Sequence, residues 1–318
     1  MSKAFDRRAI PLGAHEEYWS ARDGHPIRTI TWPAPSGRPR GSLLFFAGRG
    51  DFYEKYLETL DHWHALGWQV GAADWRGQGA SGRLGRDPYT GHIDDFATWI
   101  DDLAELYADW RARTPGPHVL VGHSMGGHLL LRACAEQRID PDGVILSAPM
   151  LGFASGRLPV GLAHWLIRIA ARLRGAWRPA WKWTEKPGEP DEGRVHLLTH
   201  DQTRYDDELW WREHRPEVAM GPGSLGWVER AYASMRALAR PGVLEQVKPP
   251  VLLLATGNDQ LVSFPAIMQA AMRLGDCQLV HFGAEAHHEI LREADPVRDR
   301  AIAACDAFLA RIAEDFGR

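Results

Sequence analysis

Short runs of apolar, β-branched and aromatic residues recur along the chain with longer amphipathic stretches between them. This is the pattern of a parallel sheet with crossover helices. Six runs predict strands: GSLLFFAG (41–48), WQVGAADW (68–75), HVLVGH (118–123), GVILSAP (143–149), PVLLLATG (250–257) and CQLVHFG (277–283). Two earlier runs, EEYWSA and IRTITW, flank the glycine-containing turn RDGHP and predict an antiparallel hairpin leading into the sheet. Helices are predicted at 52–66, 92–113, 124–138, 264–274 and 296–315. The last opens with Asp295-Pro296, an N-cap followed by proline at the first helical position.

One interval breaks this rhythm. From 151 to 245 no convincing strand occurs, and ~95 residues is too long for a simple connection. The interval predicts a helical cap inserted after the sixth main strand, dividing the chain into a core (1–150 and 246–318) and a cap (151–245). It contains LPVGLAHWLIRIAARLRGAW, the Pro/Gly/Glu-rich patch EKPGEPDEG, and further helix-like segments up to SMRALA. Over 159–177, Leu162, Leu166, Ile169 and Leu173 share one helical face, and His164, Arg168 and Arg172 line another. That arrangement suits a helix packed on the core with a solvated basic stripe. It also suits a surface that meets anionic lipid headgroups while its apolar side shapes an acyl pocket.

Composition narrows the class. The 318 residues are 45% hydrophobic and 25% charged with a net charge of −4, which gives no argument for nucleic acid as a partner. Cys134, Cys277 and Cys305 are scattered without zinc or disulfide spacing, as in a reducing compartment. The N-terminus lacks the apolar segment of a secretory signal, and no run of ~18 apolar residues occurs, so a soluble, cytoplasmic protein is expected. Of the 14 tryptophans, seven (Trp165, Trp177, Trp181, Trp183, Trp210, Trp211 and Trp227) fall in the cap interval. They supply apolar area with a polar edge, useful for an amphiphile-handling lid or for a small subdomain short of core.

The candidate chemistry begins at VLVGHSMGG (119–127), where a strand-like run ends in a serine boxed by glycines and a helix-like run follows. Gly122-x-Ser124-x-Gly126 in that context matches a nucleophile elbow, with Ser124 exposed above the sheet on a cramped turn. A serine hydroxyl needs a base, and the base needs a carboxylate to orient it. In this architecture the acid and then the histidine follow on loops after later strands. The loop TGNDQLV offers one acid, Asp259, while GAEAHHEIL offers His287 and His288, between which local physics does not choose. The backbone amides of Met125 and Arg49 are the candidate oxyanion-hole donors.

Four segments resemble the α/β-hydrolase superfamily, and within it the monoacylglycerol lipase and lysophospholipase group: AGRGDFYEKY (47–56), DWRGQGASG (74–82), GHSMGG (122–127), and GNDQLV with HHEIL. LLTHDQTRY (197–205) is similar to a cap segment of bacterial lysophospholipase-like members. The resemblance implies a Ser124, Asp259 and His288 triad, selecting His288 because the catalytic histidine of these relatives directly precedes a segment like EIL. It further implies a serine esterase acting on single-chain lipid esters. Two-step acyl transfer by this triad requires no metal or organic cofactor, and the apolar and basic faces of 159–177 suit peripheral membrane contact through the cap. Where relatives often carry His-Gly at the oxyanion loop, this chain has Ala47-Gly48.

Other readings are weaker. Gly77 to Gly82 satisfies G-x-G-x-x-G, but it runs into the polar loop RLGRDPYTG instead of a helix. His62 and His64 are two apart on a predicted helix and face different directions, so they make a poor metal pair. A short-chain carboxylesterase, a serine peptidase of related fold and a ligand-binding protein without turnover remain as alternatives.

Overall fold

The computed structural model describes residues 5–35, 39–154, 158–182 and 193–317. Among these, eight strands are found: β1 (His15–Ser20), β2 (Pro26–Trp32), β3 (Ser42–Phe46), β4 (Gln69–Ala73), β5 (His118–His123), β6 (Gly143–Ser147), β7 (Val251–Thr256) and β8 (Cys277–Phe282). They form one sheet in the order β1-β2-β4-β3-β5-β6-β7-β8. The β1-β2 hairpin and the β2-β4 pair are antiparallel, and every later pair is parallel. All residues of β3, β5, β6 and β7 are buried. Alternate side chains point to opposite faces, so both faces are covered, which is why these strands read as unbroken apolar runs.

Successive strands step one way from β3 to β4 and the other way from β3 to β5, so the topology switches at the carboxyl ends of β3 and β5. Open α/β sheets bind ligands at such a point. The crossover helices are α1 (Leu57–Ala65), α2 (Phe96–Arg113), α3 (Met125–Ala135), α8 (Phe264–Ala271) and α9 (Asp295–Phe316). Asp95 caps α2 by accepting from the Ala97 amide at 2.9 Å. The predicted cap of α9 is displaced by one residue: Ala294 is the N-cap, and Asp295 lies inside the first turn. The Asp295 carboxylate accepts from Arg204 at 2.8 Å, which draws it away from the helix amides.

Between β6 and β7 the described residues form α4 (Val160–Arg174), α5 (Val195–Leu198), α6 (Gln202–His214) and α7 (Leu225–Leu238), with isolated bridges and no strand. Trp183 and most of the EKPGEPDEG patch lie outside the described residues. Charge-assisted bonds tie this layer to the sheet domain. Arg204 on α6 reaches Glu58, Asp295 and the Glu293 carbonyl, and Asp207 accepts from Arg7 and Arg8.

Helix α4 is rotated relative to the expectation. Of the predicted inward face, Leu162, Leu166 and Leu173 are 44%, 45% and 81% exposed, and Ile169 is half-buried. His164, assigned to the polar face, is buried against α7, where its Nε2 lies 3.0 Å from Glu229 and its Nδ1 accepts from Arg236 at 2.8 Å. The two partners satisfy both ring nitrogens, so burying a histidine is not penalised. Ala163, Ile167 and Ala171 flank it on the half-buried side.

Candidate active site

Strand β5 delivers Ser124 at the switch point, with φ 52° and ψ −116°. A non-glycine residue held there costs about 1–3 kcal/mol and persists only when its surroundings over-determine it. The Ser124 amide donates to the Ser147 carbonyl at 2.9 Å, while its own carbonyl accepts from the His128 and Met150 amides at 3.0 Å each. The flanking glycines are steric necessities. A Cβ on Gly122 would lie 2.7 Å from the Gly127 nitrogen, and one on Gly126 would lie 2.5 Å from the carbonyl oxygens of Phe46 and Ala47.

The loops after β7 and β8 converge on this serine. His288 Nε2 lies 2.9 Å from Ser124 Oγ, and His288 Nδ1 lies 2.7 Å from Asp259 Oδ2. The other oxygen of Asp259 accepts from the Leu261 and Val262 amides at 2.8 and 2.9 Å, fixing the carboxylate plane. Burial opposes the charge on His288, but the adjacent Asp259 carboxylate outweighs it and raises the imidazole above its ordinary pKa. Burial likewise opposes the charge on Asp259. His288 and the two amides overcome that and hold the carboxyl below its usual range.

His287 points elsewhere. Its ring stacks on His200 at 3.8 Å, and its amide donates to Glu293 at 2.7 Å. His200 also bonds Glu293 through its amide and Nδ1, at 3.0 Å each. The His288 and Glu289 amides donate to the Leu197 and Leu198 carbonyls at 3.3 and 2.8 Å. The segment LLTHDQTRY therefore clamps the histidine loop, and Asp201 within it caps α6 through the Arg204 amide.

The loop after β3 turns tightly at Gly50 (φ 70°), whose amide donates to Gln78 at 2.8 Å. It passes close to the serine, since a Cβ on Gly48 would lie 3.1 Å from Ser124 Cβ. Arg49 follows in this loop. Met125 opens α3, so its amide has no acceptor one turn back and carries the positive end of the helix dipole.

Sequence reading missed an ion network beneath these loops. Lys55 Nζ, fully buried, lies 2.6 Å from each of Asp51, Glu208 and Glu289. Arg292 bonds Glu289 and Glu208, and Arg212 bonds Glu208. The four-residue spacing of Asp51 and Lys55 was its one sequence signal. Asp51, His123 and Glu289 are close enough to suggest a metal trio, but both carboxylates are engaged by Lys55 and Arg292. His123 packs 4.7 Å from the His288 ring and is pushed down to about 4 by burial and by the His288 charge, so it stays neutral.

Above Ser124 and His288 lies a cavity of about 760 Å³. Phe153, Ile167, Trp227, Tyr232 and Val262 supply much of its wall, and Arg49 and Arg194 also line it. A partly exposed serine, a buried imidazole and a carboxylate in one hydrogen-bonded row can perform nucleophilic acyl transfer without an external base.

The chain matches the model of the α/β-hydrolase family described as serine aminopeptidase, S33, over residues 37–295. It is 30% identical to lysophospholipase L2 of Escherichia coli (strain K12), over 95% of this chain and 92% of that protein. It is 25% identical to phospholipase YtpA of Bacillus subtilis (strain 168), over 87% of this chain and 98% of that protein. Its fold is similar to a soluble variant of monoglyceride lipase from Saccharomyces cerevisiae solved with a substrate analog. The TM-score is 0.77 at 16% identity, covering 98% and 99% of the two chains.

Proposed function

This chain belongs to the α/β-hydrolase family described as serine aminopeptidase, S33, and on that premise we propose that it hydrolyses carboxylic esters of single-chain lipids through an acyl-enzyme on Ser124. The observation that carries the reading is the continuous row Ser124 Oγ, His288, Asp259, with contacts of 2.9 and 2.7 Å, opening into a largely apolar cavity.

Ser124 attacks the ester carbonyl while His288 Nε2 takes its proton, and Asp259 stabilises the imidazolium that forms. The amides of Met125 and Arg49 meet the oxyanion. Collapse of this intermediate expels the alcohol, protonated by His288, and leaves the acyl group on Ser124. Water then attacks the acyl-enzyme with His288 as base, releasing the acid and restoring the serine. Each step uses this chain's own side chains, its backbone amides and water.

Residues 151–245 act as the cap over a core made of 1–150 and 246–318. The cap contributes Phe153, Ile167 and Tyr232 to the cavity wall and suits an acyl chain better than a polar peptide. Its exposed Leu158, Val160, Leu162, Trp165 and Leu166 make an apolar patch suited to shallow membrane contact, with Arg168 and Arg172 exposed on the same helix. No helix among the described residues is long and apolar enough to cross a membrane.

A hydrolysis panel tests this reading: p-nitrophenyl esters of graded acyl length, monoacylglycerol, lysophospholipid and an aminoacyl p-nitroanilide. Highest kcat/KM on a long single-chain lipid ester is expected. A maximum on acetate or butyrate assigns a short-chain carboxylesterase instead, and a maximum on the anilide assigns a peptidase.

A further inference from the structure

We propose that the Arg49 side chain selects a phosphorylated headgroup, so that the leaving alcohol of the preferred substrate is a glycerol phosphate ester and not plain glycerol. This rests on the ester-hydrolase reading above and goes further by assigning the polar half of the substrate to one residue.

Arg49 is placed twice over. Its main chain lies in the oxyanion loop beside Ser124, and its side chain lines the cavity that holds Ser124 and His288. The guanidinium carbon lies 5.0 Å from the ring centroid of Trp181 and 5.4 Å from that of Trp227, and Nη1 donates to the Gly221 carbonyl at 3.1 Å. Both tryptophans line the same cavity. Aromatic faces hold a guanidinium through its π-surface, whereas its donors lie in its plane and match phosphate oxygens. The Trp227 ring also lies 6.2 Å from Phe153, so the cationic part of the wall adjoins the apolar part. Arg194 brings a second guanidinium to this cavity from the cap side, where its charge is shared with Glu208.

The chemistry of the two lipid classes separates on this feature. A monoacylglycerol leaves a neutral glycerol and has no group that a guanidinium recognises better than water does. A lysophospholipid carries its phosphate on the same glycerol as the scissile ester, so a cation rooted at the oxyanion loop lies within its reach. The carboxylates of Asp51 and Glu289 on the same wall already accept from Lys55 at 2.6 Å, which lowers their repulsion of an anionic headgroup.

The test measures kcat/KM for lysophosphatidylglycerol and for monoacylglycerol of the same acyl chain, in the wild type, Arg49→Met and Arg49→Lys. Disturbance of the oxyanion loop lowers both substrates alike and cancels in their ratio. The wild-type ratio is expected to favour lysophosphatidylglycerol, to fall about 10- to 100-fold in Arg49→Met through KM, and to recover in part in Arg49→Lys. A ratio unchanged in both variants overturns the proposal.

Glycerol 3-phosphate is tested in parallel as a competitive inhibitor of p-nitrophenyl ester hydrolysis. Inhibition that depends on Arg49 without any preference for lysophosphatidylglycerol assigns the site to a soluble phosphate ester and overturns the lipid assignment. Binding of both lipids to Ser124→Ala separates this inference from the chemistry. Arg49-dependent binding of lysophosphatidylglycerol by a wild-type protein that hydrolyses neither lipid sinks the ester-hydrolase reading, and with it the leaving-group assignment, while keeping the recognition of the phosphorylated headgroup by Arg49. Should Arg49→Met fail to fold, a wild-type ratio that does not fall with added salt rejects the charge recognition directly.

Discussion

Replacing Gly126 by alanine tests the elbow at its tightest point. The new Cβ would lie 2.5 Å from two backbone oxygens, those of Phe46 and Ala47 at the end of β3. Ordinary non-bonded separation is about 3.5 Å, so the contact is roughly 1 Å too short. Neither oxygen belongs to a side chain that can swing away, so α3 and the β3 end must move apart. That motion separates Ser124 and the Met125 amide, on one side, from the Arg49 loop, on the other. A misplacement of about 1 Å in a positioned site costs on the order of 100-fold in rate. Overpacking of this kind costs a further ~1–3 kcal/mol of stability. Steady-state hydrolysis of a p-nitrophenyl ester, with thermal unfolding as the control, reads both quantities. A Gly126→Ala protein with wild-type kcat and an unchanged melting temperature would refute the close approach of the two elements and the oxyanion geometry built on it.

Ser124→Ala and His288→Ala are each expected to lower kcat by about 10⁶-fold, while His287→Ala stays within about tenfold of wild type. Equal losses in the two histidine variants would contradict the assignment. Because His288 must be neutral to accept the serine proton, kcat/KM falls as pH drops through its pKa. Asp259 raises that pKa, so the acid limb of the wild type lies above the ordinary histidine value of about 6.5. Asp259→Asn should move the limb to lower pH and reduce kcat by about 10⁴-fold, and a limb that stays put would count against the pairing. Lys55→Met strips the shared cation from three buried carboxylates and should cost ~3–5 kcal/mol in urea unfolding. A loss under about 1 kcal/mol would show that the network behaves like a surface ion pair.

The strands were readable because a parallel sheet covered on both faces writes itself as apolar runs, as in His118–His123 and Val251–Thr256. The convergence of Ser124, Asp259 and the pair His287-His288 was readable because each follows a strand end of the same sheet, whereas the choice of His288 within the pair came from the family resemblance alone. Helix α4 was not. Periodicity assigns the larger apolar face to the interior, and it fails where a buried His164 is satisfied by Glu229 and Arg236 from another helix. No local pattern records such partners. The same holds for two of the three carboxylates of Lys55, those of Glu208 and Glu289, and for the contact of Leu197 and Leu198 with the histidine loop; only Asp51, four residues before Lys55, is a local partner. Asp295 was misread as a cap because its bond to Arg204 on α6 outcompetes the local amides.

The central claim is that His288 and Asp259 convert Ser124 into a nucleophile. Intact-mass and peptide analysis after a fluorophosphonate probe measures this directly. The account predicts one adduct per chain, located on Ser124, with labelling lost in Ser124→Ala and slowed by orders of magnitude in His288→Ala. Labelling that persists in Ser124→Ala, or that proceeds at the wild-type rate in His288→Ala, would contradict it.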